Sequence, residues 1–210
     1  MAKVAGLNHR FLVQGYQIDN DVSAINGAST PRGIIDVPTL SNSAMERVIG
    51  TSDGALDFNV WFNDAAAREH IALRGMPSTD ISAIWCLGAL TAGDKVFMMI
   101  AKEMDYQWSR TADGSLSGSV QLLSNATPGE WGILAFSGTH SGAANAASID
   151  LGAATSKGIT AYAHVGAFSG SNVTVKIQGS SDNGSGDAFA DKLSFDAFEA
   201  GYGSQRKLVT

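Results

Sequence analysis

Apolar and polar side chains alternate along many short stretches of this chain. A period of two is typical of β-strands that bury one face, because successive side chains of a strand point to opposite sides of the sheet. The pattern therefore predicts a mainly β protein built from many short strands. The clearest stretches are 11–18, 55–62, 95–110, 115–125, 159–168 and 172–180, and weaker candidates are 34–40, 188–198 and 205–210.

Two turns carry a related phrase, DGAL at 53–56 and DGSL at 113–116. Asp-Gly supplies the positive φ angles of tight hairpin turns, so each copy predicts a turn that leads into a strand. The second turn joins 95–110 to 115–125 in the most clearly marked hairpin of the sequence. Whether the phrase records an internal duplication is open, because Asp-Gly is common in hairpins.

The segments between these strands predict a loop and several helical pieces. Residues 19–33 are rich in Asp, Asn, Gly and Ser and predict a long loop. Strong helix formers at 63–75 lie between an Asn-Asp start and a glycine stop, which predicts a helix of about three turns. Residues 78–90 predict a second short helix or a helix that turns into a strand. Residues 43–50 predict a helical turn capped by Ser43 or an irregular crossing.

A change in composition divides the chain. Residues 137–158 are dominated by Ser, Ala, Gly and Thr and predict a linker, because such a segment cannot bury a core of its own. The predicted domains are therefore a β domain at 1–136 and a small β domain at 159–210. The second is thin and has exposed strand edges, so either a neighbouring subunit completes it or the chain is a truncated form of a longer protein.

Charge narrows the possible partners. Only 16% of the 210 residues are charged and the net charge is −6, which argues against a grip on nucleic-acid phosphates and for a surface that is neutral or buried in partners. Residues 1–136 hold nine Lys and Arg against fourteen Asp and Glu, so a channel lined by that domain could be acidic. No signal peptide or membrane span is present in the sequence, which predicts a soluble protein made in a reducing cytoplasm without a membrane anchor.

No residue pattern predicts catalysis, a cofactor site or a metal site. The four histidines are scattered, no serine lies in a GxSxG motif, and Cys86 lies alone in an apolar run. Glu103 and Asp105 could be paired acids of a glycosidase, but no matching acid is evident and their strand face is expected to be exposed. The four tryptophans, Trp61, Trp85, Trp108 and Trp131, are expected to anchor the core, and any exposed one to mark a subunit interface.

Four segments together resemble the tail tube (major tail) proteins of long-tailed bacteriophages, especially those of actinobacterial hosts. They are residues 4–37, 53–73, 105–121 and 130–132. Residues 159–183 look like the Ig-like or carbohydrate-module-like β domain that is often appended to such proteins. The resemblance covers about 1–136 in the first domain, and none of its segments carries chemistry.

The resemblance implies a tail-tube-type β-sandwich or partial barrel with a flanking short helix, followed by a small β-sandwich unit. It also implies homo-hexameric rings that stack into a tube through which DNA passes without specific binding. Other tail proteins (terminator, tape measure, baseplate) would be partners, and the location would be the virion tail, assembled in the host cytoplasm. The expected contact residues between rings and subunits are Asn20, Asp21, Ile25, Arg32, Ile34, Ile35, Val37, Glu46 and Arg47. The expected tube-sheet residues are Leu56, Phe58, Val60, Leu116, Val120 and Leu122.

The sequence thus favours a structural subunit of a phage tail tube that is not an enzyme and has no cofactor. The alternative is a capsid decoration protein or a carbohydrate-binding protein of the virion surface. The second β unit supports this alternative. An enzyme of the glycosidase kind is the third and least supported hypothesis.

Overall fold

The computed structural model describes residues 6–41, 43–75, 78–152, 158–199 and 201–209. Within these ranges the chain forms fourteen strands and one short helix, so the predicted mainly β fold is confirmed. The elements are β1 Arg10–Val13, β2 Tyr16–Gln17, β3 Val22–Ser29, β4 Arg32–Asp36, β5 Arg47–Ser52, β6 Ala55–Trp61, α1 Glu69–Leu73, β7 Ile81–Cys86, β8 Lys95–Arg110, β9 Leu116–Ser124, β10 Glu130–Ile133, β11 Ile159–Val165, β12 Lys176–Gly179, β13 Ala190–Ser194 and β14 Gly203–Val209.

The chain divides into two compact units. Unit 1 takes residues 1–19, 82–98 and 131–210, and unit 2 takes residues 20–81 and 99–130. The long strand β8 contributes its first part to unit 1 and its second part to unit 2. This division differs from the predicted folding domains 1–136 and 159–210 with their linker 137–158, which stay a prediction.

Unit 2 is built on an antiparallel sheet in the order β8-β9-β6-β3. Its core face alternates along β6, where Leu56, Phe58 and Val60 are fully buried. Opposite them on β9 lie Leu122, which pairs with Leu56, and Val120, which pairs with Phe58. The period-two pattern of the sequence thus places these apolar side chains on one face of the sheet.

Unit 1 contains the strands β1, β2 and β7, the first part of β8, and β10. The strand pairs β11–β14 and β12–β13 complete it. The turn between β1 and β2 lies against the β11–β14 pair, and Gly15 approaches it so closely that an added Cβ would lie 2.3 Å from the carbonyl oxygen of Val165. His164 on β11 accepts the Gly15 N–H at Nδ1 (3.2 Å) and contacts the Ser82 hydroxyl through Nε2 (2.8 Å).

The predicted hairpin at 95–125 is confirmed by β8 and β9. Its turn contains Gly114 at φ +93°, the left-handed conformation that Asp-Gly was expected to supply. The hairpin predicted at the other Asp-Gly phrase, residues 53–54, is wrong, because β5 pairs with β4 and not with β6. Gly54 is needed there for space instead: an added Cβ would lie 2.6 Å from the backbone nitrogen of Gly129.

Three other predictions of local structure are wrong. Residues 19–33 are not one long loop, since β3 occupies 22–29 and pairs with β6. Residues 78–90 contain the strand β7 at 81–86 and no helix, neither alone nor before the strand. Nearly every residue of β7 is buried, so its apolar pattern lacks the alternation that distinguishes a strand. Of the two alternatives for 43–50, the helical turn is wrong: residues 43–46 are irregular, and β5 begins at Arg47.

The predicted helix at 63–75 is present but shorter, because α1 covers only Glu69–Leu73. The Asn63 side chain accepts the N–H of Ala65, and Ala67 lies at φ +62°. Both features belong to a turn and delay the start of the helix.

Candidate assembly surfaces

The hairpin of β4 and β5 forms a separate two-stranded sheet in unit 2, which we call the arm together with its connecting loop 37–46. Ile34 pairs with Ile49, Ile35 with Val48, and Asp36 with Arg47. In the described part of the chain, no other strand pairs with either of them. A two-stranded hairpin alone is marginally stable in water, so the arm is an element that gains from a partner.

Apolar side chains on the arm are exposed on both of its faces. Ile34 and Ile49 share one face and are 69% and 66% exposed, whereas Ile35 and Val48 on the other face are about half exposed. Leu40 and Met45 in the connecting loop are exposed as well. Complete burial of one such side chain is worth about 1.5–3 kcal/mol, so the arm is a candidate contact surface.

Most of the contact residues expected from the sequence lie on the arm. Two polar contacts close its strands at the loop end: Arg47 Nε lies 3.1 Å from a carboxylate oxygen of Asp36, and the Val37 N–H donates to the carbonyl of Glu46 at 2.9 Å. The structure thus brings together Arg32, Ile34, Ile35, Val37, Glu46 and Arg47. Their contact role stays a prediction.

The other three expected contact residues lie away from the arm. Asn20 is exposed in a turn, and Ile25 is half-buried on β3. Asp21 is only 6% exposed and binds the Asn63 side-chain amide at 2.8 Å. Its other carboxylate oxygen lies 3.9 Å from Arg68, so Asp21 holds the segment before α1 and presents little surface to a neighbour.

Glu69 extends this buried network. Its carboxylate accepts hydrogen bonds from the Asn63 N–H at 2.7 Å and from the Tyr106 hydroxyl at 2.9 Å. His70 Nδ1 lies 2.8 Å from the same hydroxyl, so the ring donates to it. Burial raises the pKa of Glu69, and the two hydrogen bonds oppose that rise. Every group has a partner, which is typical of a structural network that anchors α1 to β8.

The expected tube-sheet residues fall on the two paired strands β6 and β9. Five of them lie in the core of unit 2, and Leu116 is 36% exposed at the end of the β8–β9 hairpin. The two Asp-Gly phrases therefore lead into neighbouring antiparallel strands. That these strands belong to a tube wall stays a prediction.

The opposite face of this sheet is polar and exposed; we call it the polar face. Gln121 donates to Asp57 at 3.0 Å, and Asn26 donates to Asn59 at 2.9 Å. Among the described residues, the cation on this face is Lys102, which lies 2.9 Å from Asp80. Hydroxyl and amide groups dominate a shallow depression of about 210 Å³ lined by Asn59, Gln107, Ser109, Ser117, Gly118 and Ser119.

Two strand edges of unit 2 have no strand partner among the described residues. One is the outer edge of β3, which ends the strand order. The other is the edge of β8 opposite to β9 along 103–110. β7 pairs with β8 on this side, and the pairing begins where the Leu87 N–H donates to the carbonyl of Lys95. Because β7 has only six residues, its pairing ends at about residue 101 of β8 and leaves 103–110 without a partner strand on that side.

Comparison with known proteins finds only distant similarity. No protein-family model matches the chain, and no curated protein matches it. Among solved structures, it is similar to a chain of the virion of a native gene transfer agent (GTA) particle, with 12% identity and a TM-score of 0.47 over 63% of this chain and 100% of that chain. It is also similar to a chain from the tail of an empty GTA particle with C6 symmetry, with 12% identity and a TM-score of 0.42 over 51% and 80%.

A third similar structure is the SPP1 Dit (gp 19.1) protein, a hub adsorption apparatus protein of phages that infect Gram-positive hosts. The identity is 9% and the TM-score 0.36, over 80% of this chain and 58% of that chain. Similarities at these scores do not assign a role to this chain.

The tryptophans divide between core and surface. Trp85 and Trp108 are half-buried, whereas Trp61 and Trp131 are 50% and 55% exposed. Trp61 lies on the polar face beside Ser117. Trp131 covers the buried ring of Phe97 edge-on at 5.2 Å. By the expectation from the sequence, the two exposed rings mark contact surfaces.

Glu103 lies on the buried face of β8 and not on the exposed face that its sequence pattern predicts. It is 8% exposed rather than on an exposed face, and neither carboxylate oxygen has a hydrogen-bond partner among the described residues. Burial raises its pKa to about 7. A bulge between Glu103 and Asp105 ends the alternation of β8 and sends Asp105 to the exposed face, so the two acids do not form a pair.

The other reactive groups are structural. Cys86 is a free, buried thiol as predicted, and burial raises its pKa. The half-buried His164 is neutral, because desolvation of its ring lowers its pKa to about 3. In the described ranges, no group of three or more His, Cys, Asp and Glu residues could hold a metal ion, and no helix has the length and apolar character to cross a membrane.

Proposed function

We propose that this protein is the structural subunit of a phage tail tube, which assembles into stacked hexameric rings that form a channel for DNA delivery. It works in the virion, after assembly in the host cytoplasm, and contacts the terminator, tape measure and baseplate proteins of the tail. It performs no chemistry and needs no cofactor. The resemblance of residues 1–136 to tail tube proteins supports this proposal.

The arm is the observation that carries the proposal. A monomer would leave its four isoleucine and valine side chains in water on two opposite faces. A neighbouring ring that receives the arm in a groove would bury both faces at once. Several kcal/mol of contact energy per subunit would follow, and a stacked ring repeats that contact at every subunit.

The polar face fits the wall of a DNA channel. Its hydroxyl and amide groups form no lasting bond with a moving duplex, and Asp57 and Asp105 repel the phosphates. Lys102 on this face forms an ion pair with Asp80 and also donates to the carbonyl of Ser78 at 2.6 Å. Nonspecific binding to DNA depends on free lysine and arginine, so this face lets DNA pass.

A carbohydrate-binding or decoration protein of the virion surface is the second candidate, and one observation favours it. Trp61 lies half-exposed on the polar face near Asn59 and Ser117, and sugars are bound in many proteins by an aromatic platform beside amide and hydroxyl groups. The depression on this face is shallow, which weakens the case.

Assembly of the purified full-length protein discriminates between the two candidates. Negative-stain microscopy and sedimentation velocity at increasing protein concentration are expected to show rings with a central pore and stacks of them. Monomers at every concentration, together with binding to a glycan array that Trp61→Ala abolishes, would replace the tube proposal by the second candidate.

A further inference from the structure

We infer that the C-terminal strands of unit 1 form a releasable cover on its first sheet, which His164 holds closed and which acid opens by protonating that ring. The cover consists of β11, β12, β13 and β14, and the first sheet consists of β1, β2, β7, β10 and the first part of β8. The contacts that carry the inference lie within unit 1. The inference goes beyond the proposed tube function and does not depend on it.

The strand β11 has two different faces. Ala161 and Ala163 are buried in a core that belongs to the cover itself and includes Leu193 of β13. Tyr162 and His164 alternate with them and contact the first sheet. Because the cover has an apolar core of its own, its release from the first sheet does not require it to unfold.

The contact between the cover and the first sheet is limited. Tyr162 packs against a buried apolar cluster of the first sheet that includes Cys86, and Tyr202 stacks on Tyr16 at 4.1 Å between the ring centroids. In the described part of the chain, no strand of the cover pairs with a strand of the first sheet. Regions joined by few buried apolar contacts open at lower free energy than the whole fold. The cover is therefore expected to open locally.

His164 supplies the polar part of the contact. Nδ1 accepts the Gly15 N–H at 3.2 Å, and Nε2 donates to the Ser82 hydroxyl at 2.8 Å. Only the neutral ring with its proton on Nε2 makes both bonds, because a charged imidazole has an N–H donor at each nitrogen. Protonation of Nδ1 would oppose two N–H groups and leave a charge in a desolvated contact. The proton thus removes this link to the first sheet.

The groups around His164 do not favour a charged ring. Gly15 and Ser82 are neutral, and so is Ser204, which lies opposite His164 on β14. Arg206 on β14 donates to the Tyr162 hydroxyl at 3.1 Å, and its positive charge opposes a second one on this face. The phenols of the stacked tyrosine pair stay neutral in acid.

One proton sets the size of the expected effect. Desolvation lowers the pKa of His164 from 6.5 to about 3, so the ring binds its proton in the open form and excludes it in the closed form. Below pH 6.5 the ratio of open to closed protein is therefore expected to rise about tenfold for each pH unit.

Gly15 offers a way to open the cover without a proton. Its φ is +85°, and an added Cβ would lie 2.3 Å from the carbonyl oxygen of Val165 and 2.9 Å from the backbone nitrogen of Gly203. Both of these atoms belong to the cover. A methyl group there cannot fit against the backbone of the closed cover, so Gly15→Ala should shift the protein to the open form at any pH.

Thiol labelling of the full-length protein tests the inference. Cys86 is the one cysteine of the sequence, and its buried side chain lies in the cluster that Tyr162 packs against. Its rate of reaction with dithiodipyridine, divided by the rate of the urea-unfolded chain at the same pH, measures its exposure. The variant His164→Gln keeps a polar side chain that does not titrate, and His140→Gln is the matched control at an exposed histidine.

A second probe separates release of the cover from unfolding of the strand. Ala83 is buried on the opposite face of the same strand, β7. In the double variant Cys86→Ala, Ala83→Cys the thiol therefore lies on the side that the cover does not contact, and its labelling reports unfolding of β7.

Between pH 7.5 and 4.5 the relative rate at Cys86 is expected to rise about 100-fold in the wild type and in His140→Gln, but not in His164→Gln. Gly15→Ala should raise the rate already at pH 7.5, and the Ala83→Cys probe should change little with pH. A wild-type rate without pH dependence, or an equal rise in His164→Gln, would overturn the role of His164. An equal rise at the Ala83→Cys probe would show that β7 unfolds as a whole and would overturn the cover.

Discussion

Ile34 and Ile49 lie directly opposite each other across the arm, and about two-thirds of each side chain is exposed to solvent. Apolar pairs at such positions normally lie against a core. Here the pair is outside the core of its own subunit, on a hairpin that has no further strand partner among the described residues. The pair is therefore the observation on which the proposed assembly with other copies rests.

Replacing this pair should separate ring formation from stacking. The double variant Ile34→Ser, Ile49→Ser is expected to keep its thermal midpoint within about 2 °C, because exposed side chains contribute little to monomer stability. Ring stacks in negative-stain images should shorten or disappear. The control Leu208→Ser changes a side chain that is 54% exposed on β14. Equal loss of stacking in both variants would contradict the role of the arm.

Glu103 should make the protein less stable as the pH rises. Its pKa is raised from 4.5 to about 7 in the folded state, so between these values the unfolded chain loses a proton that the folded chain keeps. Stability is therefore expected to fall from pH 4.5 to 7, by at most about 3 kcal/mol. In urea unfolding, this fall in the free energy of unfolding should be absent from Glu103→Gln and present in Asp105→Asn. A wild-type slope that Glu103→Gln leaves unchanged would refute the assignment.

His164 should have the opposite effect on the pH dependence of stability: it should make the protein less stable as the pH falls. Burial lowers its pKa from 6.5 to about 3, so the unfolded chain binds a proton that the folded chain excludes, and stability is lost as the pH falls below 6.5. Nε2 donates to the Ser82 hydroxyl because Nδ1 accepts the Gly15 N–H. Long-range ¹H–¹⁵N spectra should show His164 neutral at pH 5 with the proton on Nε2. A charged imidazole at that pH would be inconsistent with the structure.

Replacing the glycine of either Asp-Gly phrase by alanine should destabilise the protein, for a different reason in each phrase. Gly54→Ala is expected to cost about 1–3 kcal/mol, because the new Cβ would meet the backbone of Gly129. Gly114→Ala is expected to cost about 1–2 kcal/mol through its positive φ. Gly27 has no atom within 4 Å of an added Cβ, so Gly27→Ala should be nearly neutral. Chemical denaturation measures all three, and a neutral Gly54→Ala would show that the loop at Gly129 can move.

Local patterns predicted the elements in which one face is buried. The bounds of β8 agree with the predicted strand at 95–110, and β6, β9 and β11 lie within their predicted stretches. Alternation and an Asp-Gly turn with a positive φ were sufficient there. β7 was missed because it is buried on both sides and has no alternation, so its apolar residues also fit a helix.

Features set by distant contacts could not be predicted. β3 consists largely of small and polar residues and is a strand because β6 pairs with it from thirty residues away. The bulge at Glu103 follows from the register against β9, so the sequence could not show that Glu103 is buried and Asp105 exposed. The arm was predicted as a contact segment from the family resemblance, but its hairpin pairing and its two apolar faces required the structure.

The number of chains in the ring is the decisive measurement for the proposed tube. Native mass spectrometry of the smallest assembled species, combined with rotational averaging of end-on ring images, measures it. The tube account predicts a ring of six chains, at about six times the chain mass of 21.8 kDa, with a six-fold central pore. A monomer, or a closed dimer or trimer without a pore, would contradict it.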